Sequence, residues 1–334
     1  MGVHVTDSPI FIVGCPRSGT TLLRDLLRSH PHLTFPEESH FIPQLYESYG
    51  DPKDEREARK LAAKMLSLRW VQAWGLPLEP SAFAEDRSYA RMVSRIYEAW
   101  ALSENKPRWG DKTPPYVTKI PVLLKIFPRA KIIHIYRDAR DVASSWVRVR
   151  FGPRNIFTAA CAWKTMVAAG RAAGAKLPRE SYLEVCYESL VRHPRETMTQ
   201  ICASVGEPFT DAVLQASPLA GWNRYSPIIG SARPRKARPD EIVATNLEKW
   251  KRDMPLSDRI LVESVAGDLL QTLGYEMEGL ARRIGRPEQW MWKADHYFRW
   301  WLLRLNRRGN YRVLKDVLLT RWADLRRRLR AGAE

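Results

Sequence analysis

Gly14-Cys-Pro-Arg-Ser-Gly-Thr-Thr21 stands between a short apolar run, Ile10 to Val13, and an amphipathic stretch that begins at Leu22. Its glycines have the spacing of the loop G-x-x-x-x-G-K-[ST], whose lysine reaches the β- and γ-phosphates of a nucleoside triphosphate. Thr20 occupies the lysine position here, and Thr21 follows it. A turn from a strand into a helix gathers backbone N–H groups at the positive end of the helix, so it can hold an anion without a special side chain. Gly14 and Gly19 let the backbone close around that anion. Thr20 and Thr21 can donate hydroxyl protons, and Arg17 adds a planar cationic fork. The same glycine spacing also arises by chance, so the loop takes its meaning from the strand before it and the helix after it.

A second cationic segment, Arg137-Asp-Ala-Arg-Asp-Val-Ala-Ser-Ser145, follows the strand-like run 131–136. Arg137 falls at the carboxyl end of that strand, on the same sheet edge as the loop. A helix over 139–150 places Ser145 about two turns in. Read alone, the segment could be a surface turn in which Asp138, Arg140 and Asp141 neutralise one another. Beside the loop, it implies a ligand with two separated anionic groups.

The pair "CPRSGTTLL" and "YRDARDVASS" resembles the two cofactor signatures of sulfotransferases that use 3′-phosphoadenosine 5′-phosphosulfate (PAPS). The branch with P-R-S-G-T-T, which includes tyrosylprotein and bacterial carbohydrate or lipid sulfotransferases, is the most similar. The resemblance covers roughly residues 8–275, densely at the two motifs. It implies that Arg17, Ser18, Gly19, Thr20 and Thr21 grip the 5′-phosphosulfate and that Arg137 and Ser145 hold the 3′-phosphate. It implies a catalytic carboxylate at Glu38 in "EESHF" and a lysine on the transferring group at Lys112 in "DKTP". "CYESLVRHP" resembles a family segment that turns Tyr187 towards the nucleotide. In the loop before "NLEKW", Arg233, Lys236 and Arg238 are candidates for the 3′-phosphate. PAPS carries one sulfated phosphate and no magnesium triphosphate, which accounts for Thr20 at the lysine position. The implied product is 3′,5′-ADP (PAP), and no metal is expected in the reaction.

Sulfuryl transfer needs a base for the acceptor hydroxyl and fixed cations for the leaving phosphate. Glu38 takes the first role, Arg17 and Lys112 the second. Glu37 and His40 remain alternative bases. Lys112 could instead be a surface lysine. His134 lies inside a strand pattern and reads as a core residue, while His30 and His32 flank Pro31 where helix capping accounts for them.

The elements that must position these groups alternate. Strand patterns occupy 10–13, 131–136 and 182–187, with a weaker one near 108–110. Helical patterns follow Gly19 and fill 53–69, 87–103, 117–126, 139–150, 155–175, 194–205 and 256–273. The expected fold is α/β: a P-loop-type parallel sheet flanked by helices, with helical insertions and a C-terminal helical extension. Residues 1–280 form the expected transfer domain and 281–334 a basic, Trp-rich extension. The segment 220–252, rich in Pro, Gly, Ser and Arg, reads as a long loop.

The 334 residues carry 54 Lys+Arg against 37 Asp+Glu, a formal charge of +17, of which +10 lies in the last 53 residues. Charge so concentrated, without a recognition module, argues against nucleic acid as a partner. In the tail, Phe298, Trp301, Leu302 and Leu305 share a helical stripe ahead of a break at 307–310, which fits a helical hairpin packed on the body or an anionic membrane surface touched by the tail. Leu314, Leu318, Trp322, Leu325 and Leu329 continue a second stripe. Four dispersed cysteines and the lack of a leader-like N-terminus or an apolar span point to a cytoplasmic protein, possibly membrane-associated. The acceptor is expected to be a hydroxyl of a carbohydrate, glycolipid, phenol or other small molecule. A tyrosyl peptide and a P-loop nucleotide kinase or NTPase are the competing readings.

Overall fold

A computed structural model describes residues 8–214 and 246–306. They fall into two compact units, one built from 8–137, 166–214 and 246–247, the other from 138–165 and 248–306.

The first unit holds a five-stranded parallel sheet in the order β2-β3-β1-β4-β5. Its strands are β1 (Ile10–Gly14), β2 (Leu33–Thr34), β3 (Arg108–Lys112), β4 (Lys131–Tyr136) and β5 (Tyr182–Cys186). β1 is central, pairing with β3 from Ile10↔Gly110 to Ile12↔Lys112 and with β4 from Ile10↔Lys131 to Gly14↔Ile135. Period-2 alternation divides its side chains between two cores. Phe11, Val13 and Ile132 enter one with Tyr97, Trp100 and Trp109. Ile10, Ile12, Ile133 and Ile135 enter the other with Leu23, Leu27 and Ile201. Because both faces are covered, the central strands read as unbroken apolar runs.

Helix α1 (Thr20–Arg28) leaves the glycine loop. Lys106 closes its far end, with Nζ 3.0 Å from His30 O and 2.9 Å from Leu33 O and a further bond to Arg28 O. The capping expected of His30 and His32 is thus done by a lysine. The insertion between β2 and β3 carries α2 (Ile42–Tyr49), α3 (Glu55–Leu66), α4 (Arg69–Gln72) and α5 (Tyr89–Ser103). Asp54 and Ser88 cap α3 and α5 by accepting from Glu57 N and Arg91 N. The run 117–126 divides into a 3₁₀ turn, Pro114–Lys119, and α6 (Ile120–Ile126), because Pro114, Pro115 and Pro121 interrupt the α-helical ladder. α9 (Tyr187–Arg192) and α10 (Pro194–Val205) follow β5. α8 (Ile156–Gly174) begins in the second unit and ends in the first.

The second unit contains α7 (Ala139–Trp146), α11 (Lys249–Asp253), α12 (Leu256–Thr272) and α13 (Arg286–Asn306). α7 stops at Trp146, short of the expected 150. Residues 249–252 are helical rather than loop, with Trp250 buried under the Arg140 guanidinium 3.6 Å from its ring centroid. Residues 215–245, with Arg233, Lys236 and Arg238, and the stripe from Leu314 to Leu329 lie outside the described residues. In α13, the expected stripe divides: Leu302 is buried while Trp301 is half exposed, and Trp292 and Asp295 complete the covered face. No helix among the described residues is long and apolar enough to cross a membrane.

Arg140 is the electrostatic centre of this unit. It binds Asp138 at 2.8 Å and Glu263 at 3.0 Å, and all three are buried. Glu263 also accepts from the backbone of Glu278 and Leu280. Removing one member of a buried charge network leaves the others uncompensated. Arg140→Met is therefore expected to destabilise the protein by about 3–5 kcal/mol, read as a lowered urea midpoint.

Candidate active site

The carboxyl ends of all five strands deliver the residues singled out above. After β1, Arg17 and Gly19 adopt left-handed backbone angles, φ 75° and 92°. The Ser18 N–H closes the turn on Cys15 O at 3.2 Å, and Leu23 N starts the helical ladder on Gly19 O at 3.0 Å. Thr20 is buried and Thr21 half-buried. Ser18 Oγ is buried with no hydrogen-bond partner, an orphaned donor in the middle of an anion cradle. Any Cβ at Gly19 would meet the Tyr187 ring at 2.3 Å, so only glycine fits against that ring.

Tyr187, at the tip of β5, is buried between this glycine and Arg137, whose guanidinium lies 4.5 Å from its ring centroid. Arg137 also donates to the Asn246 carbonyl. Sheltering from solvent, and then the nearby Arg137 charge, lower the pKa of Arg17 from its ordinary value. Two guanidinium groups from neighbouring strand tips therefore share one region of the first unit. Ser145 lies half-buried on α7 of the second unit.

On the other side of β1, β2 and β3 bring Glu38 to Lys112. Lys112 Nζ is 2.5 Å from Glu38 Oε1, and His40 Nε2 is 3.0 Å from Oε2. Lys112 is buried, so it is no surface lysine, while the Glu38 side chain keeps 22% exposure. Burial alone would raise the Glu38 pKa. The Lys112 charge and the hydrogen bonds from His40 and Lys112 outweigh it and hold the carboxyl at about 2. Glu37 is spoken for elsewhere: its carboxylate pairs at 3.0 Å with Arg24, a buried residue of α1 that also binds Asp25.

A buried scaffold fixes the Glu38–His40 turn. Ser39 N donates to Thr113 Oγ1 at 3.1 Å, Ser39 Oγ lies 2.8 Å from Tyr116 Oη, and Tyr97 Oη donates to Asp111 at 2.6 Å. Burial pushes the Asp111 carboxyl above its ordinary value, against the bonds from Tyr97, Ser39 and Thr113. His40 sits at φ 55°, and its ring packs 5.1 Å from that of Trp70 on α4. Trp70, the Asn246 carbonyl and the Asp111–Tyr97 pair carry no sequence signature of their own. His134 is packed in the core as expected, its Nδ1 2.7 Å from Tyr182 Oη, and burial lowers its pKa to about 3.

An anion cradle beside a second guanidinium, with a carboxylate–ammonium pair on the next strand, can hold a nucleotide with two separated anionic groups and take a proton from a hydroxyl. Residues 9–211, more than half of the sequence, match the model of the sulfotransferase family, and the chain belongs to that family. It is similar to the protein-tyrosine sulfotransferase of Drosophila melanogaster, with 25% identity over 84% of this chain and 54% of that one. Protein-tyrosine sulfotransferase A of Caenorhabditis elegans is 26% identical over 86% of this chain and 72% of its own length. The nodulation protein NoeE of Sinorhizobium fredii is 26% identical over 91% and 76%. This chain thus spans about half of the Drosophila relative. In fold it is similar to the sulfotransferase domain from the curacin biosynthetic pathway, TM-score 0.57 at 22% identity over 82% of this chain and 99% of that one. The sulfotransferase domain of the Synechococcus PCC 7002 olefin synthase gives 0.54 at 24% identity over 82% and 97%.

The depressed Glu38 pKa stabilises the folded state above the ordinary value of about 4.5. That contribution is lost as pH falls towards about 2. The stability gap between the wild type and Glu38→Gln, measured by urea unfolding, is expected to be full at pH 6 and to shrink steadily below pH ~4.5.

Proposed function

We propose that this protein transfers a sulfuryl group from PAPS to a hydroxyl of a carbohydrate, lipid or other small-molecule acceptor. The observation that carries the reading is the Glu38–Lys112 pair beside the glycine loop. The residues present fit the donor: Ser18 Oγ is an orphaned buried donor, Gly19 leaves the cradle without a Cβ, and Arg17 lies near Arg137. When bound, PAPS supplies the sulfuryl group and a phosphate as leaving group.

In this reading the loop N–H groups, Arg17, Ser18, Thr20 and Thr21 hold the 5′-phosphosulfate. Arg137, steadied by Tyr187, holds the 3′-phosphate. The reading draws on the first unit alone. Glu38 accepts the hydroxyl proton from the acceptor. A carboxylate held at about 2 is ionised at neutral pH but weakly basic. Drawing the Lys112 ammonium towards the leaving oxygen would withdraw that charge from Glu38 and raise its basicity when it is needed. His40 keeps the second carboxylate oxygen oriented. Matches to protein-tyrosine sulfotransferases over most of this chain support a second reading, in which the acceptor is a tyrosyl peptide. Thr20 at the loop's lysine position counts against an NTPase or kinase.

Calorimetry is expected to show binding of PAP and none of ATP; the reverse pattern would overturn the reading. Glu38→Gln should lower transfer by about 10²–10⁴-fold and leave PAP affinity nearly unchanged. A loss under about threefold would remove Glu38 as the base.

For the extension we propose contact with an anionic lipid surface. Trp290, Tyr297 and Trp301 are exposed at positions i, i+7 and i+11 of α13, one helical face opposite the covered one. The surplus positive charge of the last 53 residues complements such a surface. The Trp290→Ala/Tyr297→Ala/Trp301→Ala variant should sediment less with phosphatidylserine vesicles than the wild type. Equal sedimentation would dismiss the contact.

A further inference from the structure

His30, His32 and Glu207 meet at the amino-terminal end of the sheet, the edge opposite the glycine loop. Each offers one ligand atom, and these atoms lie within 4.8 Å of one another. They come from two segments: the short turn between α1 and β2, and the loop that leaves α10.

The hydrogen bonds around His30 and Glu207 set both groups in a form that a metal ion can use, while His32 Nδ1 donates its proton to Glu207. His30 is fully buried, and its Nε2 faces the Pro208 carbonyl at 3.0 Å. A carbonyl only accepts, so Nε2 carries the proton and the Nδ1 lone pair is left to accept, as it does from the His32 N–H at 3.1 Å. An imidazole that donates its other N–H to a backbone carbonyl is the arrangement found behind metal-bound histidines. Glu207 is held from behind: Arg108 takes Oε1 at 2.7 Å, leaving Oε2 turned to His32 Nδ1 at 2.8 Å. His32 is half exposed, which gives an ion a way in and leaves room for water.

We propose that His30 Nδ1, His32 Nδ1 and Glu207 Oε2 bind a divalent transition-metal ion of the zinc class, completed by solvent. Two imidazoles and one carboxylate form a common donor set for that ion. Ligand atoms of a tetrahedral zinc site stand about 3.4 Å apart, given bonds of about 2.0–2.1 Å, so the cluster needs a modest contraction. Binding exchanges the His32 N–H bond to His30 and the His32–Glu207 bond for three metal bonds, and the proton on His32 Nδ1 moves through solvent to Nε2, which leaves the ring neutral. The ion would clasp the turn after α1 to the loop after α10. The site is independent of the transfer reaction.

The test uses the untagged full chain and Co²⁺ as the probe, with Zn²⁺ as competitor. One equivalent of Co²⁺ should give visible absorption bands of a low-coordinate site, removed by Zn²⁺, and Zn²⁺ should raise the melting temperature. His32→Ala alters an exposed side chain, so it should fold; its Co²⁺ affinity should fall at least tenfold and its Zn²⁺-induced shift should vanish. Glu207→Gln should also weaken binding, with PAP binding unchanged in both variants. Absence of Co²⁺ bands in the wild type, or equal binding by His32→Ala, would overturn the proposal.

Discussion

The parallel pairing of β1 with β4 over Ile10 to Gly14 is the constraint on which the site depends. It ends both strands side by side, so the chain emerges from each at the same edge of the sheet, with Arg17 after one and Arg137 after the other. Two guanidinium groups held near each other repel, and the lowered Arg17 pKa records that repulsion along with sheltering from water. The fold tolerates this because the backbone around them is tightly determined. Gly14 accepts an approach in which a Cβ would lie 2.2 Å from the Ile135 carbonyl, and Gly19 accepts the Tyr187 ring on which Arg137 rests. An anionic ligand placed there would turn repulsion into attraction, which is what preorganisation means in electrostatic terms.

The Glu38–Lys112 pair shows the complementary arrangement, where opposite charges already satisfy each other. Lys112 would be costly to bury alone, and Glu38 supplies its counter-charge. The pair is held from below by Ser39, Thr113 and Tyr116, with Tyr97 on Asp111. This scaffold can keep the carboxylate in place if the ammonium moves, because it grips the backbone of the turn rather than the ion pair. His40, at a left-handed φ, adds a second donor from the exposed side. The contact that neutralises the buried ammonium thus also lowers the basicity of the carboxylate.

The glycine loop, the central strands and most long helices were legible in the sequence because they are local. A glycine spacing, an apolar run or a helical period announces itself within a dozen residues. β2 was not, since Leu33–Thr34 is two residues long and exists only through its pairing with Arg108 and Trp109. Glu37 and Glu38 are equivalent in sequence, and what separates them in space is Arg24, a buried residue that claims Glu37 from α1. The roles of Trp70, Asn246 and the Asp111–Tyr97 pair arise from contacts between distant segments, and no periodicity encodes such a contact. The helical segment at 249–252 was hidden for a similar reason: Trp250 is fixed by Arg140 more than a hundred residues earlier.

The position of the lysine gives the arrangement its chemical sense. In a nucleoside triphosphate loop the lysine follows the second glycine and points along the phosphate chain, so its charge serves the ligand alone. Here that position holds a threonine, and the neighbouring strand β3 carries a lysine, Lys112, paired in register with Ile12 of β1. A lysine mounted there reaches the carboxylate after β2. In the resting protein it is paired with Glu38, which keeps a buried ammonium neutralised and the base quiet. On the proposed reading, the donor competes for that same charge, so occupying the cradle is the event that frees the carboxylate. On that reading, a cation on the strand rather than in the loop would couple donor binding to activation of the acceptor.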